Sequence, residues 1–429
     1  MAMNGPLKDT TAASVSSSTQ YSLRADAGKE TVEQYEQRIT ERAKSLFVEY
    51  GYTALNHVGE ELCGDNVEFH NDDDGTTLVL ADGLGSGVKA NILSTLTSKI
   101  LCTLVRYDVP IEECIETIID TLPVDKLRGV AYSTFSVIHI NNKGDGYLFE
   151  FDNPQAICYH DGRCMDLPRI KVTYKERSIY KSDLHLAKDD IVLVMSDGTI
   201  HAGVGQILNF GWERPEIIEH LNQNIQPNMS ARCVANLLCS ACNDLYLSKP
   251  GDDTTVAAVK LREELPVNLM VGPPVDKEKD DFYVQRFLSG PGLKVVCGGT
   301  SSQIVARYLK EPLKTSYNFP DKNVPPIGFI KGVDLVTEGV ITLRVLLDLS
   351  EKYVSYTDLT PKNFLKSDGA SLLADILFEK ASSVTFFVGQ NINKAHQGLP
   401  IDITMKMKIV ERLADNLKKM GKKVVVYYD

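Results

Sequence analysis

The chain has 429 residues, 43% of them hydrophobic and 24% charged, with a formal net charge of -11. That length predicts more than one domain, and that composition a soluble globular protein able to bury real cores. The acidic balance excludes a general nucleic-acid binder and suits a protein that concentrates carboxylates to hold cations.

Residues 1–28 are rich in Ser, Thr and Ala without periodicity, which predicts a disordered tail. From Thr31 onward Val32, Tyr35, Ile39, Leu46, Phe47 and Tyr50 recur as one face of an amphipathic helix over 29–53, ending near Gly51. Such a helix either packs on the next domain or pairs with a regulatory partner or a second copy. The opening residues lack a secretory pattern and no apolar run looks long enough to cross a bilayer, so a cytoplasmic location without a membrane partner is expected. The nine cysteines are scattered; Cys239 and Cys242 have CxxC spacing but no second pair, and read as buried thiols inside a helical pattern.

Between Ala54 and Ala81 the period changes to two, with Val67 and Phe69 on one strand, Thr77 and Val79 on the next, and 71–75 as the hairpin turn. Cys63, Gly64 and Asp65 open the first of these strands. The second runs into Asp82-Gly83-Leu84-Gly85-Ser86-Gly87, after which Val88, Ile92, Leu96, Ile100 and Leu104 recur at helical spacing. An acid at a strand end keeps a fixed position while leaving the sheet edge, and glycines let backbone approach a ligand closely. Taken alone, this turn suits helix packing equally well.

A helix is expected over Ile111–Leu122, then strands over Tyr132–Ile140, Gly146–Asp152, Ala156–Tyr159 and Cys164–Leu167, with Asp161-Gly162 as a hairpin turn. This succession reads as an antiparallel meander, with His139 and His160 as structural residues. The apolar run Ile191–Met195 ends in Ser196-Asp197-Gly198, repeating the strand-acid-glycine device. Helical patterns follow over Gly203–Phe210, Pro215–Asn222 and Ser230–Leu247, and Gly251-Asp252-Asp253-Thr254-Thr255 leads into the strand Val256–Leu261.

Proline and charge over 265–279 mark a boundary, and 280–429 reads as a small α/β domain. Its strand Gly292–Cys297 runs into Gly298, Gly299, Thr300, Ser301 and Ser302 ahead of the helix Gln303–Leu309. This is a candidate ligand loop for a phosphate, carboxylate or nucleotide, although it lacks the lysine of a P-loop. Val333–Leu349 reads as helix, Val384–Val388 as strand, Thr404–Met420 as helix and Lys423–Tyr428 as strand. Asp334, Glu338, Asn391, Asn393 and His396 are further pocket candidates.

Four strand ends therefore carry acids: Asp65, Asp82, Asp197 and the pair Asp252-Asp253. Convergence would crowd like charges unless cations neutralise them, and all-oxygen sites of this kind select magnesium or manganese. Two such ions sharing a water would supply a nucleophile for phosphate-ester hydrolysis.

Together, Cys63-Gly64-Asp65, Ala81–Gly87 with Lys89-Ala90, Asn153-Pro154, Asp161-Gly162, Ser196-Asp197-Gly198 and Gly251–Thr255 resemble the motifs of metal-dependent type 2C serine/threonine phosphatases. They are most similar to the bacterial branch typified by stage II sporulation protein E, over about 57–262. The resemblance implies an α+β fold, a four-layer α-β-β-α sandwich over 54–264, with two Mn2+ or Mg2+ ions at the sheet edges. It implies that Asp82 bridges both ions, that Asp65 and the Gly83 carbonyl support one, and that Asp197 and Asp252 bind the other. Asp253 is the weaker candidate, Thr254 replaces a methionine common there, and Lys89 reads as a surface lysine. The implied activity is hydrolysis of phosphoserine or phosphothreonine in a phosphoprotein substrate, catalysed through Asp82, Asp197 and Asp252 by a metal-bound water and regulated by the C-terminal domain. A non-catalytic signalling protein and a hydrolase of small phosphate esters are the alternatives.

Overall fold

The computed structural model describes residues 46–72, 75–107, 109–121, 133–174, 177–315, 325–355, 368–391 and 403–429. In chain order the first part comprises β1 (Leu46–Leu55), β2 (Asp65–Asn71), β3 (Gly75–Gly83), α1 (Gly87–Arg106), α2 (Ile111–Thr121), β4 (Ser133–Asn141) and β5 (Asp145–Phe151). There follow β6 (Ile157–His160), β7 (Arg163–Asp166), β8 (Ile170–Tyr174), β9 (Arg177–His185), β10 (Ile191–Met195), α3 (Arg214–Asn224), α4 (Ala231–Leu245) and β11 (Thr254–Glu263). The last part is β12 (Pro266–Val271), α5 (Asp280–Ser289), β13 (Leu293–Cys297), α6 (Gly299–Leu309), β14 (Lys314–Thr315), β15 (Gly328–Phe329) and β16 (Leu335–Thr337). It ends with α7 (Val340–Ser355), α8 (Gly369–Ala374), β17 (Ser383–Val388), α9 (Ile403–Lys419) and β18 (Lys423–Tyr428).

Two antiparallel sheets, ordered β1-β11-β10-β6-β7 and β2-β3-β4-β5-β9-β8, face each other. Side chains alternate across each strand, so one strand serves two layers. Leu78 and Leu80 of β3 join Val192 and Val194 of β10 and Val259 of β11 in the core between the sheets. Val79 and Ala81 point the other way, to Leu101, Ile115 and Ile118 of α1 and α2. On the far side Leu193 and Ala258 meet Ile217, Leu221 and Leu238 of α3 and α4. The result is the α-β-β-α sandwich the motifs imply.

The order β14-β15-β16-β13-β12-β17-β18 forms a third sheet, parallel over its five strands from β16 to β18. Strand order reverses about β12. One face carries Tyr283, Phe287, Ile304 and Val305 of α5 and α6, and the other Leu346, Leu373, Val410 and Leu413 of α7, α8 and α9.

Several expectations are corrected. Leu46–Leu55 is a strand rather than the end of a helix, paired with β11 along its whole length from Leu46↔Glu263 to Leu55↔Thr254. Buried on both faces between α4 and the other sheet, it shows no alternation, and its apolar spacing mimics a helix. The rest of that expected helix and the 1–28 tail lie outside the described residues. Strands β8 and β9 were not anticipated, and Gly203–Phe210 is a set of turns in which Ile207 and Phe210 are exposed. Pro266–Val271 is the strand about which the third sheet reverses, not a linker, since proline is tolerated as a strand's first residue. The 333–349 segment divides into β16 and α7.

The helix after the Asp82 loop has the expected period but the opposite face. Val88, Ile92 and Leu96 are 61%, 51% and 49% exposed, while Ala90, Ser94, Thr97, Ser98 and Leu101 are buried. Small and hydroxyl side chains let the helix lie close on the sheet, where Asn66 donates to the Ser98 hydroxyl at 2.6 Å. By length and hydropathy this helix also meets the criterion for a bilayer span, contrary to the expectation above; it packs on β2 and β3.

Candidate metal centre

Strand register brings the acids together. Asp65 of β2 lies directly opposite Asp82 of β3, and Asp82 opposite Thr134 of β4. From the facing sheet, β10 delivers Asp197 through a single 3-10 turn, Asp197–Thr199. Ser196 closes this corner, accepting the Thr255 N–H on its hydroxyl at 2.8 Å and donating its own N–H to the Thr255 carbonyl at 2.9 Å. Asp252 stands just before β11. Asp82, Asp197 and Asp252 line one cavity of about 360 Å³ with His57, Gly83, Leu84, Gly85, Ser86, Ser133, Thr134 and Gly251.

Two glycines are fixed by close approach rather than by turn conformation. A Cβ on Gly83 would stand 2.1 Å from the Ala90 carbonyl of α1, and one on Gly198 would stand 2.2 Å from the Asp253 carbonyl. Each lets a helix or strand pass directly behind an acid.

No lysine or arginine lines the cavity among the described residues, and the electrostatics show the consequence. Burial, and then the carboxylates of Asp65, Asp197 and Asp252, push the Asp82 carboxyl up to about 10. Burial pushes Asp65 to about 7, opposed by the Ser196 and Thr255 hydroxyls and reinforced by Asp253 and Asp197. Asp252 is raised by burial and by Asp197. Although those hydroxyls lie near it, neither Asp65 oxygen is held in a hydrogen bond of normal geometry, and both are buried. Such a cluster is stable only when protonated or cation-bound. Carboxylate oxygens without competing cations fit magnesium or manganese.

Asp253 has a different task. Its Oδ1 accepts the His57 N–H at 2.9 Å and its Oδ2 the Gly64 N–H at 2.8 Å, so it ties the loop before Asp65 to the start of β11. Lys89 is exposed, as expected. His160 pairs with Asp190 at 2.9 Å and His139 with the Thr77 hydroxyl at 2.9 Å, both structural. Asn153 accepts from the Thr134 hydroxyl at 2.5 Å, fixing a residue of the cavity wall. Cys239 and Cys242 are buried.

One residue escapes sequence reasoning. His201 stands one turn beyond Asp197, and it offers a ring nitrogen within 4.8 Å of carboxylate oxygens of both Asp197 and Asp252. Its relation to Asp252 exists only in the folded chain.

The candidate loop 298–302 stands apart from this centre, at the carboxyl end of β13, and is corrected to Gly298 followed by the first turn of α6, which begins at Gly299 rather than Gln303. Gly298 has φ 121° and begins α6 without a side-chain cap, and Ser302 donates to the Gly298 carbonyl at 2.8 Å. The Ser301 hydroxyl is buried and unpartnered. Asp334 accepts the Lys294 N–H at 2.6 Å and Glu338 the Ile341 N–H at 3.2 Å, which are backbone ties. Asn391 donates its N–H to the Pro273 carbonyl at 3.2 Å. Asn393 and His396 lie outside the described residues.

The α-β-β-α sandwich is the fold that the motif resemblance implies. Residues 72–262 match the family model described as stage II sporulation protein E (SpoIIE), a likeness that covers most of the sandwich. Among solved structures, the phosphatase domain of the cell-fate determinant SpoIIE from Bacillus subtilis is similar at 18% identity and TM-score 0.40, over 52% of this chain and 95% of that one. The Ser-Thr phosphatase MsPP from Mycobacterium smegmatis, in complex with cacodylate, is similar at 15% identity and TM-score 0.35, over 49% and 97%. The catalytic domain of the phosphatase PstP, solved with two manganese ions, is similar at 17% identity and TM-score 0.34, over 51% and 100%. No curated protein matches the chain.

Proposed function

We propose that the chain is a metal-dependent phosphoprotein phosphatase acting on phosphoserine or phosphothreonine, with the third sheet as its regulatory unit. The observation that carries this reading is the meeting of Asp65, Asp82, Asp197 and Asp252 in one region that holds no compensating lysine or arginine. A structural acid cluster would be expected to carry its own counter-charge, as the Glu49 cluster at the far end of the same sheet does.

Two divalent ions, when bound, supply a water of lowered pKa and neutralise the charge of a phosphoryl group. Asp82, opposite Asp65 and near Asp197, would serve both ions. Asp65 and the Gly83 carbonyl would hold one, and Asp197 and Asp252 the other. Ser133, Thr134 and Ser86 offer hydroxyls on the cavity wall for a phosphoester oxygen. In the regulatory unit, loop 298–302 at the carboxyl end of β13 is the part we assign to a small anionic ligand, because the first N–H groups of α6 have no side-chain cap.

The test is turnover of a phosphoserine and phosphothreonine peptide panel with Mn2+, alongside an aryl phosphate. The expected result is peptide hydrolysis lost on chelation and in Asp82→Ala, Asp197→Ala and Asp252→Ala. Hydrolysis of the aryl phosphate without any peptide would assign the site to small esters, and no hydrolysis of either would leave a signalling protein without catalysis.

A further inference from the structure

We propose that His201 supplies a ring nitrogen to the cation held by Asp197 and Asp252, making that position a mixed nitrogen–oxygen site rather than an all-oxygen one. This rests on the metal-centre reading above and deepens it.

The backbone fixes the main chain of His201 from both sides. The His201 N–H donates to the Asp197 carbonyl at 3.0 Å, so the two residues stand one turn apart on the same side. Beyond it, the Val204 N–H donates to the His201 carbonyl at 3.1 Å and the Trp212 N–H to the Ile200 carbonyl at 2.9 Å. A Cβ on Gly211 would come within 2.2 Å of the Ile200 carbonyl, so this return is packed as closely as the acids themselves.

The side-chain distances approach those of a ligand set, with the His201 ring about half exposed. His201 Nδ1 is 3.9 Å from the nearer Asp197 oxygen, and nitrogen and oxygen atoms of His201, Asp197 and Asp252 all lie within 4.8 Å of one another. At 3.9 Å the pair is too far apart for a hydrogen bond. It falls inside the span of two ligands on one ion, at most about twice a bond of roughly 2.1 Å. Close by, both oxygens of Asp65 are buried without a hydrogen bond, a second sign that this cluster is completed by something the protein does not itself supply. His57 also borders the cavity with a buried, unpartnered Nδ1, but its backbone N–H is tied to Asp253 and its ring is not among the groups that close on Asp197 and Asp252.

Chemistry gives the nitrogen a consequence. Carboxylate and water suit magnesium and manganese alike, whereas imidazole favours first-row metals in the order that begins at manganese, so a nitrogen donor moves the preference of this position away from magnesium.

Pulsed electron paramagnetic resonance of the full chain loaded with Mn2+ alone reads the bond directly, because a coordinated imidazole imposes nitrogen-14 modulation on the echo. We expect modulation in the wild type, retained in His57→Gln and lost in His201→Gln. Calorimetry should then show Mn2+ affinity in His201→Gln lower by about tenfold or more, since even outer-shell partners are worth about 10–100-fold. Magnesium affinity should change by less than about twofold, because the lost donor is one magnesium uses poorly. Bound Mn2+ without nitrogen modulation, or modulation that survives His201→Gln, overturns the assignment while leaving the metal centre standing. No Mn2+ bound by the wild type overturns the metal centre and this assignment with it.

Discussion

Strand β11 ends in a charged cluster at each extremity, and the two are opposite in kind. At its start Asp252 joins Asp82, Asp197 and Asp65, acid upon acid. At its end buried Glu49 of β1 meets Lys422 Nζ at 3.2 Å and Arg262 at 3.3 Å, and accepts the Ala231 N–H at 3.1 Å. Burial alone would raise the Glu49 carboxyl, yet Arg262 and Lys422 overcome it and hold it below its ordinary range. Arg262 also donates to the carbonyls of Glu379, Lys380 and Ala381, where a π-helical turn ends. On α4, Arg232 donates to the Tyr353 carbonyl at 2.5 Å at the end of α7 and lies 4.6 Å over that tyrosine's ring. The balanced cluster fastens the third sheet to the sandwich. The unbalanced one is left to protons or, in the function proposed, to cations. One strand, some ten residues long, thus separates a structural use of buried charge from a chemical one.

The largest effect should come from the unbalanced end. Asp197→Ala removes a ligand and should lower Mn2+-dependent peptide turnover by about 10³-fold or more, which steady-state kinetics would read. At the balanced end, Glu49→Gln removes the carboxylate that Lys422 and Arg262 share, leaving Glu379 alone beside Lys422. It should cost about 3–5 kcal/mol of stability in urea, with turnover of the folded fraction preserved. Turnover falling in step with Asp197→Ala would mean that the two ends are not separable.

The two ends should also respond to pH with opposite signs. The folded-state pKa of Glu49 is depressed, so its contribution is present above about pH 4.3 and lost as pH falls through the lower folded value. The folded-state pKa of Asp82 is raised to about 10, so its ionisation in the unfolded chain costs the metal-free fold stability from about pH 4 upward. Metal-free Asp82→Asn should therefore be more stable than wild type at pH 7 by at least about 1 kcal/mol, a gain that vanishes near pH 4. Added Mn2+ should reverse the order. The smallest effect belongs to α1: Ile92→Gln, on its exposed side, should change stability by less than about 0.5 kcal/mol, which thermal denaturation would check.

The chemistry was more legible than the architecture around it. An aspartate followed by glycine at the end of an apolar strand is a local pattern, and the structure repeats it at Asp82 and Asp197. The face of α1 was not legible, because its stripe of Val88, Ile92 and Leu96 faces outward, and the buried side depends on how closely the helix can approach the sheet. β1 and β12 carry no period-two signal, since strands covered on both faces do not alternate. His201 is silent in the sequence because four residues after an aspartate is a common spacing, and only folding places Asp252 beside it.

Calorimetric titration of the metal-free protein with Mn2+ tests the central claim most directly. Two ions per chain in the wild type, reduced in Asp82→Asn, is the predicted result. Wild-type protein that takes up no Mn2+ would contradict the account, since protonation alone would then settle the buried acids.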